Sequence, residues 1–162
     1  MPYVPPRSVV HGVRQKLSEA CNRGIEQCRR GDWDQGLESL RRIAETGDRT
    51  ALPGLFYSYL GYGIARCQKR EEEGLKLCQH AIKVEFYQPE NYVNLARTQL
   101  LGNHRRAAAQ AIRQGLKVDP NHEELLVLQR ELGLRRTPIL RFLSRSNPIN
   151  RFLGGLLHKI GV

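Results

Sequence analysis

Apolar and polar residues follow one another along this chain with the period of amphipathic helices. Short runs of glycine, proline, asparagine and aspartate separate the periodic stretches. The stretch RRGDWDQGLESLRRI, from Arg29 to Ile43, contains one such break. Glycine accepts a positive φ at a helix C-terminus and aspartate caps the next N-terminus, so Gly31 and Asp32 predict a turn between two helices.

A regular spacing of mostly small or apolar residues indicates an internal repeat. Three sets of four positions share a spacing of 12 or 13, then 7, then 5 residues: Gly24, Gly36, Ile43 and Asp48; Gly61, Gly74, Ala81 and Phe86; Ala96, Ala108, Gly115 and Pro120. Small residues at the first two positions of a set, on either side of a turn at Gly31, Lys69 or Asn103, let two antiparallel helices approach closely. The chain is therefore predicted to be an array of stacked helical hairpins.

Through this repeat the chain resembles the tetratricopeptide repeat (TPR) family, whose unit of about 34 residues carries spaced aromatic residues, Leu-Gly, alanine and a closing proline. The matching stretches are YSYLGYGIA (with Tyr57, Leu60, Gly61 and Ile64), GDWDQGLESL and NHRRAAAQAIRQGLKVDPN. The resemblance covers residues 17–134 and implies an all-α, TPR-like helical-hairpin solenoid of about three repeats with C-terminal capping or tail helices. The loops ETGDRTALPG and VEFYQPEN depart from the family period.

One more helix is predicted after the third hairpin, in DPNHEELLVLQREL. Asn121 and Glu124 have the spacing of a helix N-cap and its reciprocal glutamate. Arg130 lies 34 residues after Ala96, where another repeat would place a small residue. This helix is therefore predicted to cap the array.

The resemblance implies a binding scaffold, in which the first helix of each hairpin lines a concave groove that holds a peptide. Carried onto this sequence by helical position, the resemblance implies twelve groove-facing residues: the seven binding candidates Ile25, Leu55, Tyr62, Arg66, Val93, Arg97 and Leu100, and five further positions, Ser18, Cys21, Cys28, Ser58 and Glu90. Arginine and tyrosine often anchor interfaces, so a protein or peptide partner is predicted. An ordinary solvated face is the alternative for the same residues.

Some members of that family bind the C-terminal carboxylate of chaperones through a lysine, two asparagines and a Lys/Arg pair. The matching positions here hold Cys21, Ile25, Tyr59, Glu90 and Asn94. The set has one asparagine, and Glu90 would repel a carboxylate. These residues argue against chaperone-type binding.

No group of residues predicts catalysis, and no cofactor or metal is predicted. The five histidines are scattered, and the sequence has neither the G-x-S-x-G motif of a nucleophilic serine nor a phosphate-binding glycine loop. Cys21, Cys28, Cys67 and Cys78 lack C-x-x-C spacing and are predicted to be buried or groove-lining apolar residues. Trp33, the only tryptophan, is predicted to pack between neighbouring helices. The chain is therefore predicted not to be an enzyme.

The formal net charge of +10 comes from the two ends, because all 16 acidic residues lie within residues 17–133. The predicted organisation is a basic N-terminal arm over 1–16, a repeat domain over 17–134 and basic amphipathic helices over 135–162. The sequence shows neither a secretory signal nor a membrane span, so a cytoplasmic location is expected. Nucleic acid is disfavoured as a partner, because the basic C-terminal segment has neither a recognition helix nor aromatic residues that would stack on bases.

The C-terminal stretch LRRTPILRFLSRSNPINRFLGGLLHKIGV predicts two short helices, each with a proline at its first position. The second has an apolar face at helical spacing, formed by Ile149, Phe152, Leu153, Leu156, Leu157 and Ile160. This face has three open uses: it caps the last repeat, binds a partner or a second copy, or lies on an anionic bilayer. Contact with protein is favoured, and a peripheral membrane-surface adaptor is the alternative function.

Overall fold

The structure is a computed structural model, and it describes residues 7–45 and 52–133, with side chains described from residue 17 onward. These residues form seven α-helices and no strand: α1 Arg7–Arg29, α2 Trp33–Glu45, α3 Gly54–Gln68, α4 Glu71–Val84, α5 Pro89–Leu101, α6 Arg105–Val118 and α7 Glu123–Glu131. The predicted all-α class and the three hairpins, α1–α2, α3–α4 and α5–α6, are confirmed. The helices predicted over 135–162, with the apolar face from Ile149 to Ile160, lie outside the described residues.

Each hairpin turns through a residue with left-handed backbone, at the positions that the sequence predicted. The φ angles are 94° at Gly31, 58° at Lys69 and 58° at Asn103. At the first turn the amide of Asp32 donates to the carbonyl of Gln27 at 3.0 Å, in the pattern that closes a helix on a left-handed glycine. Asn103 closes α5 in the same way.

Small residues allow the two helices of a hairpin to touch through their backbones. A Cβ atom added at Gly61 would lie 2.7 Å from the carbonyl oxygen of Gly74, and one added at Gly74 would lie 2.5 Å from that of Gly61. In the third hairpin the equivalent residues, Ala96 and Ala108, are both fully buried. Close helix packing therefore explains the spacing seen in the sequence.

The odd-numbered helices form one layer of the array. α1 contacts α3, α3 contacts α5 and α5 contacts α7, whereas among the described helices α2, α4 and α6 do not contact one another. The stack therefore curves toward the odd-numbered helices, whose exposed face is the inner face of the array.

A cluster of buried polar side chains joins α3, α4 and α5 inside the fold. Asn94 donates from its side-chain nitrogen to the hydroxyl of Ser58 at 3.2 Å, and the Thr98 hydroxyl donates to the carbonyl of Asn94 at 2.8 Å. The Cys78 sulfur lies 3.5 Å from the Thr98 hydroxyl. These bonds fix the register of the three helices.

Two helices start at places that differ from the sequence analysis. α1 begins at Arg7, so the boundary expected after residue 16 falls inside a helix. α7 begins at Glu123 with His122 as its N-cap residue and no side-chain cap, so the predicted capping box is wrong. The Asn121 amide instead donates to the Asp119 carboxylate at 3.0 Å, and the Glu124 carboxylate lies 3.5 Å from Arg97.

Candidate partner-binding groove

A cavity of about 430 Å³ lies on the inner face of the array, and we call it the groove. Its lining is mostly charged and aromatic: Cys28, Arg29, Gly31, Trp33, Tyr59, Tyr62, Arg66, Glu90, Arg97 and Glu124. Apart from Gly31 and Trp33, these residues belong to α1, α3, α5 and α7. The groove thus lies where the first helices of successive hairpins meet.

The structure brings three of the seven binding candidates together, because Tyr62, Arg66 and Arg97 all line the groove. Cys28 and Glu90, two of the five further groove-facing positions, line it as well. Ile25 and Val93 are buried beneath the inner face, with exposed fractions of 3% and 0%. Leu55 and Leu100 are half-buried and lie outside the groove lining. Helical register alone does not separate positions that face a groove from positions that pack between neighbouring inner helices.

Glu90 accepts hydrogen bonds from side chains of two other helices. We call Arg29, Tyr59 and Glu90 the Glu90 cluster. Arg29 of α1 donates to both carboxylate oxygens of Glu90 on α5, from Nε at 2.9 Å and from Nη2 at 2.6 Å. The hydroxyl of Tyr59 on α3 donates to the same carboxylate. Cζ of Arg29 also lies 5.8 Å from the centre of the Tyr59 ring. Three helices are therefore joined through one carboxylate.

The Glu90 cluster keeps its carboxylate ionised. Burial raises the pKa of Glu90, but the hydrogen bonds from Arg29 and Tyr59 outweigh burial, so the pKa lies below its ordinary value of 4.5. The charge of His122 acts in the same direction as these bonds. Burial raises the pKa of the Tyr59 hydroxyl, and its hydrogen bond to Glu90 and the charge of that carboxylate raise it further. At neutral pH the cluster therefore holds one cation, one anion and a protonated phenol.

The second group of groove side chains is Trp33, Tyr62, Arg66 and Arg97, which we call the Arg66 cluster. The Trp33 and Tyr62 rings meet edge to face, with 4.9 Å between their centres. Cζ of Arg66 lies 5.6 Å from the centre of the Trp33 ring, and its Nη1 donates to the Tyr62 hydroxyl at 3.4 Å. Cζ of Arg97 lies 5.9 Å from the centre of the Tyr62 ring. Two guanidinium groups thus flank one tyrosine.

The arginines of the Arg66 cluster lack a strong carboxylate partner. Arg97 lies 3.5 Å from Glu124, and their side chains are 32% and 50% exposed. No carboxylate in the described part of the chain forms an ion pair with Arg66. The groove holds three arginines and two glutamates, so its excess positive charge lies at this cluster.

The sequence analysis missed Trp33, Arg29 and Glu124 as groove residues. Trp33 packs between helices as predicted, against Tyr59 and Tyr62, but its partly exposed ring also lines the groove. Trp33 is the first residue of α2, two residues after Gly31, and this position beside a hairpin turn is the signal that the sequence offers. The Arg29–Glu90 pair spans 61 residues, and no local pattern indicates it.

Three of the four cysteines are buried, as predicted, but Cys67 is exposed outside the groove lining, so the prediction is wrong for that residue. Burial raises the pKa of Cys21 to about 11 and the pKa values of Cys28 and Cys78 to about 12. These three thiols stay protonated at neutral pH. Across the described residues, no group of three His, Cys, Asp or Glu is placed to hold a metal ion, and no helix has the length and hydropathy to cross a bilayer.

Comparisons with known proteins agree on the fold. No protein-family model matches the chain, and no curated protein matches it. Among solved structures, the first TPR of Spaghetti (RPAP3) bound to the HSP90 peptide SRMEEVD is similar, with a TM-score of 0.58 and 14% identity over 74% of this chain and 91% of that one. The Arabidopsis OM64 TPR domain gives a TM-score of 0.59 and 11% identity over 73% and 94%.

The TPR2B domain of yeast Sti1, in its pHsp70 complex, gives a TM-score of 0.58 and 17% identity over 75% of this chain and 99% of that one. Identities this low establish the fold alone. The chain is an all-α solenoid with the fold of a TPR domain, as its repeat spacing predicted.

Proposed function

We propose that this chain is a non-catalytic protein-interaction module, which holds a peptide or a partner protein in the groove. The groove itself carries the proposal: it is a cavity of about 430 Å³ on the inner face, lined by three arginines and three aromatic rings. Arginine, tryptophan and tyrosine are the residues most enriched among interface hot spots. The Spaghetti TPR, with its HSP90 peptide, supports the proposal because it uses the same fold.

The proposed contact lies at the Arg66 cluster and not at the five positions that match the chaperone-type site. At those positions Cys21, Ile25 and Asn94 have exposed fractions of 0%, 3% and 0%. Tyr59 and Glu90 are occupied by each other and by Arg29. Side chains that are buried or already paired have little left to offer a partner.

Photo-crosslinking in the native cell tests the proposal. Glu124, which lines the groove, is replaced by benzoylphenylalanine, and Glu131, an exposed residue at the end of the same helix, receives the same replacement as a control. We expect a discrete partner adduct from position 124 alone, and its loss when Arg66→Ala and Arg97→Ala are added. Equal adducts from both positions, or an adduct that survives the double variant, would place the contact outside the groove.

The alternative function, a peripheral membrane-surface adaptor, depends on residues 147–162 and stays a prediction. Each basic residue near an anionic surface contributes about 1 kcal/mol, and salt screens this attraction. Sedimentation of the full chain with anionic vesicles is the measurement. Salt-sensitive sedimentation that disappears on deletion of residues 147–162 would favour the membrane role, and no sedimentation at physiological salt would exclude it.

A further inference from the structure

The two clusters of the groove differ in how their arginines are neutralised. The Arg29 guanidinium makes two hydrogen bonds to the Glu90 carboxylate, at 2.9 and 2.6 Å. Arg66 has no carboxylate partner in the described part of the chain, and Arg97 has one at 3.5 Å. The unneutralised charge of the groove is therefore local, and it is positive.

The aromatic rings of the groove do not offer a free site for a cation. Each ring already has an internal guanidinium: Arg66 lies 5.6 Å from Trp33, Arg29 lies 5.8 Å from Tyr59, and Arg97 lies 5.9 Å from Tyr62. A cationic guest would have to displace one of these groups and would be repelled by the others. The rings instead hold the guanidinium groups in place.

Tyr62 sets the geometry of the two arginines that lack a strong partner. Arg66 donates one N–H to the Tyr62 hydroxyl at 3.4 Å, and Arg97 lies over the ring of the same tyrosine. A guanidinium has five N–H donors in a planar fork, so most donors of both groups remain available. That fork matches the two oxygens of a carboxylate.

We propose that the partner is a peptide segment with a glutamate or aspartate side chain, and that its carboxylate binds to Arg66 and Arg97 beside Tyr62. This inference rests on the proposed function, because it names the chemistry that the groove selects. Glu124 is the internal competitor for Arg97. Its side chain is 50% exposed and 3.5 Å away, so a guest displaces it without leaving a buried charge unpaired.

Peptide display on the full chain tests this inference. Random dodecapeptides are displayed with their C-termini fused to the carrier, so that a terminal carboxylate cannot be the bound group. They are selected on the wild type, on Arg66→Gln/Arg97→Gln, and on Arg105→Gln/Arg113→Gln. The last variant removes two exposed arginines of α6 that do not line the groove, and it matches the change in charge.

We expect one acidic position to be enriched on the wild type and on the α6 control, and not on Arg66→Gln/Arg97→Gln. A synthetic peptide with glutamine at that position should bind the wild type about tenfold more weakly than its glutamate form, as for a lost charge-assisted hydrogen bond. The two forms should bind Arg66→Gln/Arg97→Gln equally. Circular dichroism melts confirm that the variants are folded.

The opposite results separate this inference from the proposed function. Enriched peptides without an acidic preference, or with one that persists on Arg66→Gln/Arg97→Gln, overturn the inference and leave the groove as a binding site. A phosphoserine peptide that binds about tenfold more tightly than its glutamate form overturns the carboxylate assignment in favour of phosphate. No enrichment on the wild type overturns both proposals.

Discussion

The Glu90 cluster and the Arg66 cluster lie in one groove and are built from the same types of side chain. In the Glu90 cluster a carboxylate that is 16% exposed accepts bonds from Arg29 and Tyr59, and this joins α1, α3 and α5. In the Arg66 cluster two guanidinium groups lie against aromatic rings, and the carboxylate 3.5 Å from Arg97 belongs to the half-exposed Glu124. Satisfied charges stabilise the fold, whereas unsatisfied charges remain available to a partner. Exposure and residue type alone therefore do not distinguish an arginine that supports the fold from one that is available to a partner.

A substitution in the helix contact beneath both clusters should have the largest effect on stability. Ala108 is fully buried between α5 and α6, and α5 carries both Glu90 and Arg97. Ala108→Arg places an unpaired charge in this contact and should destabilise the protein by about 3–5 kcal/mol. Chemical denaturation measures the loss. Gln110→Arg, on the exposed side of α6, is the control and should change stability by less than about 0.5 kcal/mol.

The second prediction separates the clusters by their effect on stability. Glu90→Gln removes the charge that Arg29 and Tyr59 bind, and it should lower the free energy of unfolding by about 1–2 kcal/mol. Arg66→Gln removes a cation–π contact at an exposed site and should cost about 0.5–1 kcal/mol or less. Urea unfolding of both variants measures the difference. Equal losses would mean that the Arg66 cluster is as structural as the Glu90 cluster.

The third prediction uses the pH dependence of the Glu90 cluster. The pKa of Glu90 in the folded protein lies below its ordinary value of 4.5, so its contribution to stability is present above that pH and is lost as the pH falls through the folded pKa. The stability difference between the wild type and Glu90→Gln should therefore be present at neutral pH and shrink in acid, as the pH falls through the folded pKa. Glu38→Gln, which breaks an exposed pair with Arg42, is the control. A difference that does not change with pH contradicts the assigned ionisation.

The smallest expected effect is on the local opening of the groove. Cys28 in α1 lines the groove but is only 2% exposed. A thiol reagent therefore reaches it only when the groove opens locally. In a Cys67→Ser background, which removes the exposed thiol, Glu90→Gln should speed modification of Cys28 about fivefold, as about 1 kcal/mol of local stability implies. Arg66→Gln should leave the rate almost unchanged. Peptide mass spectrometry identifies the modified cysteine.

The fold could be predicted from the sequence because each repeat depends on local requirements of the backbone, namely positive φ angles at the turns and small residues at the helix contacts. Gly31, Lys69 and Asn103 were expected to turn the hairpins, and all three have positive φ angles. The helix contact through Gly61 and Gly74 follows from the absence of side chains at two positions 13 residues apart. Such local requirements can be read without knowing the rest of the structure.

The sequence predicted the groove only in part, because the groove depends on how successive hairpins are placed. Of the predicted binding residues, Tyr62, Arg66 and Arg97 line the groove, whereas Ile25 and Val93 pack beneath the inner face. A role of the lining residues in binding stays a prediction. The link between Arg29 and Glu90 needs α1 and α5 to approach across α3, and that distance is set by the curvature of the stack. No pattern within one repeat contains this information.

We expect the Glu90 cluster to support the fold and the Arg66 cluster to bind the partner. Titration calorimetry and thermal melting of the wild type, Glu90→Gln and Arg66→Gln test it most directly, with a glutamate peptide recovered by the display selection. We expect Arg66→Gln to bind about tenfold more weakly at a nearly unchanged melting temperature. Glu90→Gln should melt several degrees lower and keep the affinity of the wild type within about threefold. Loss of affinity in Glu90→Gln together with normal affinity in Arg66→Gln would contradict this division of roles.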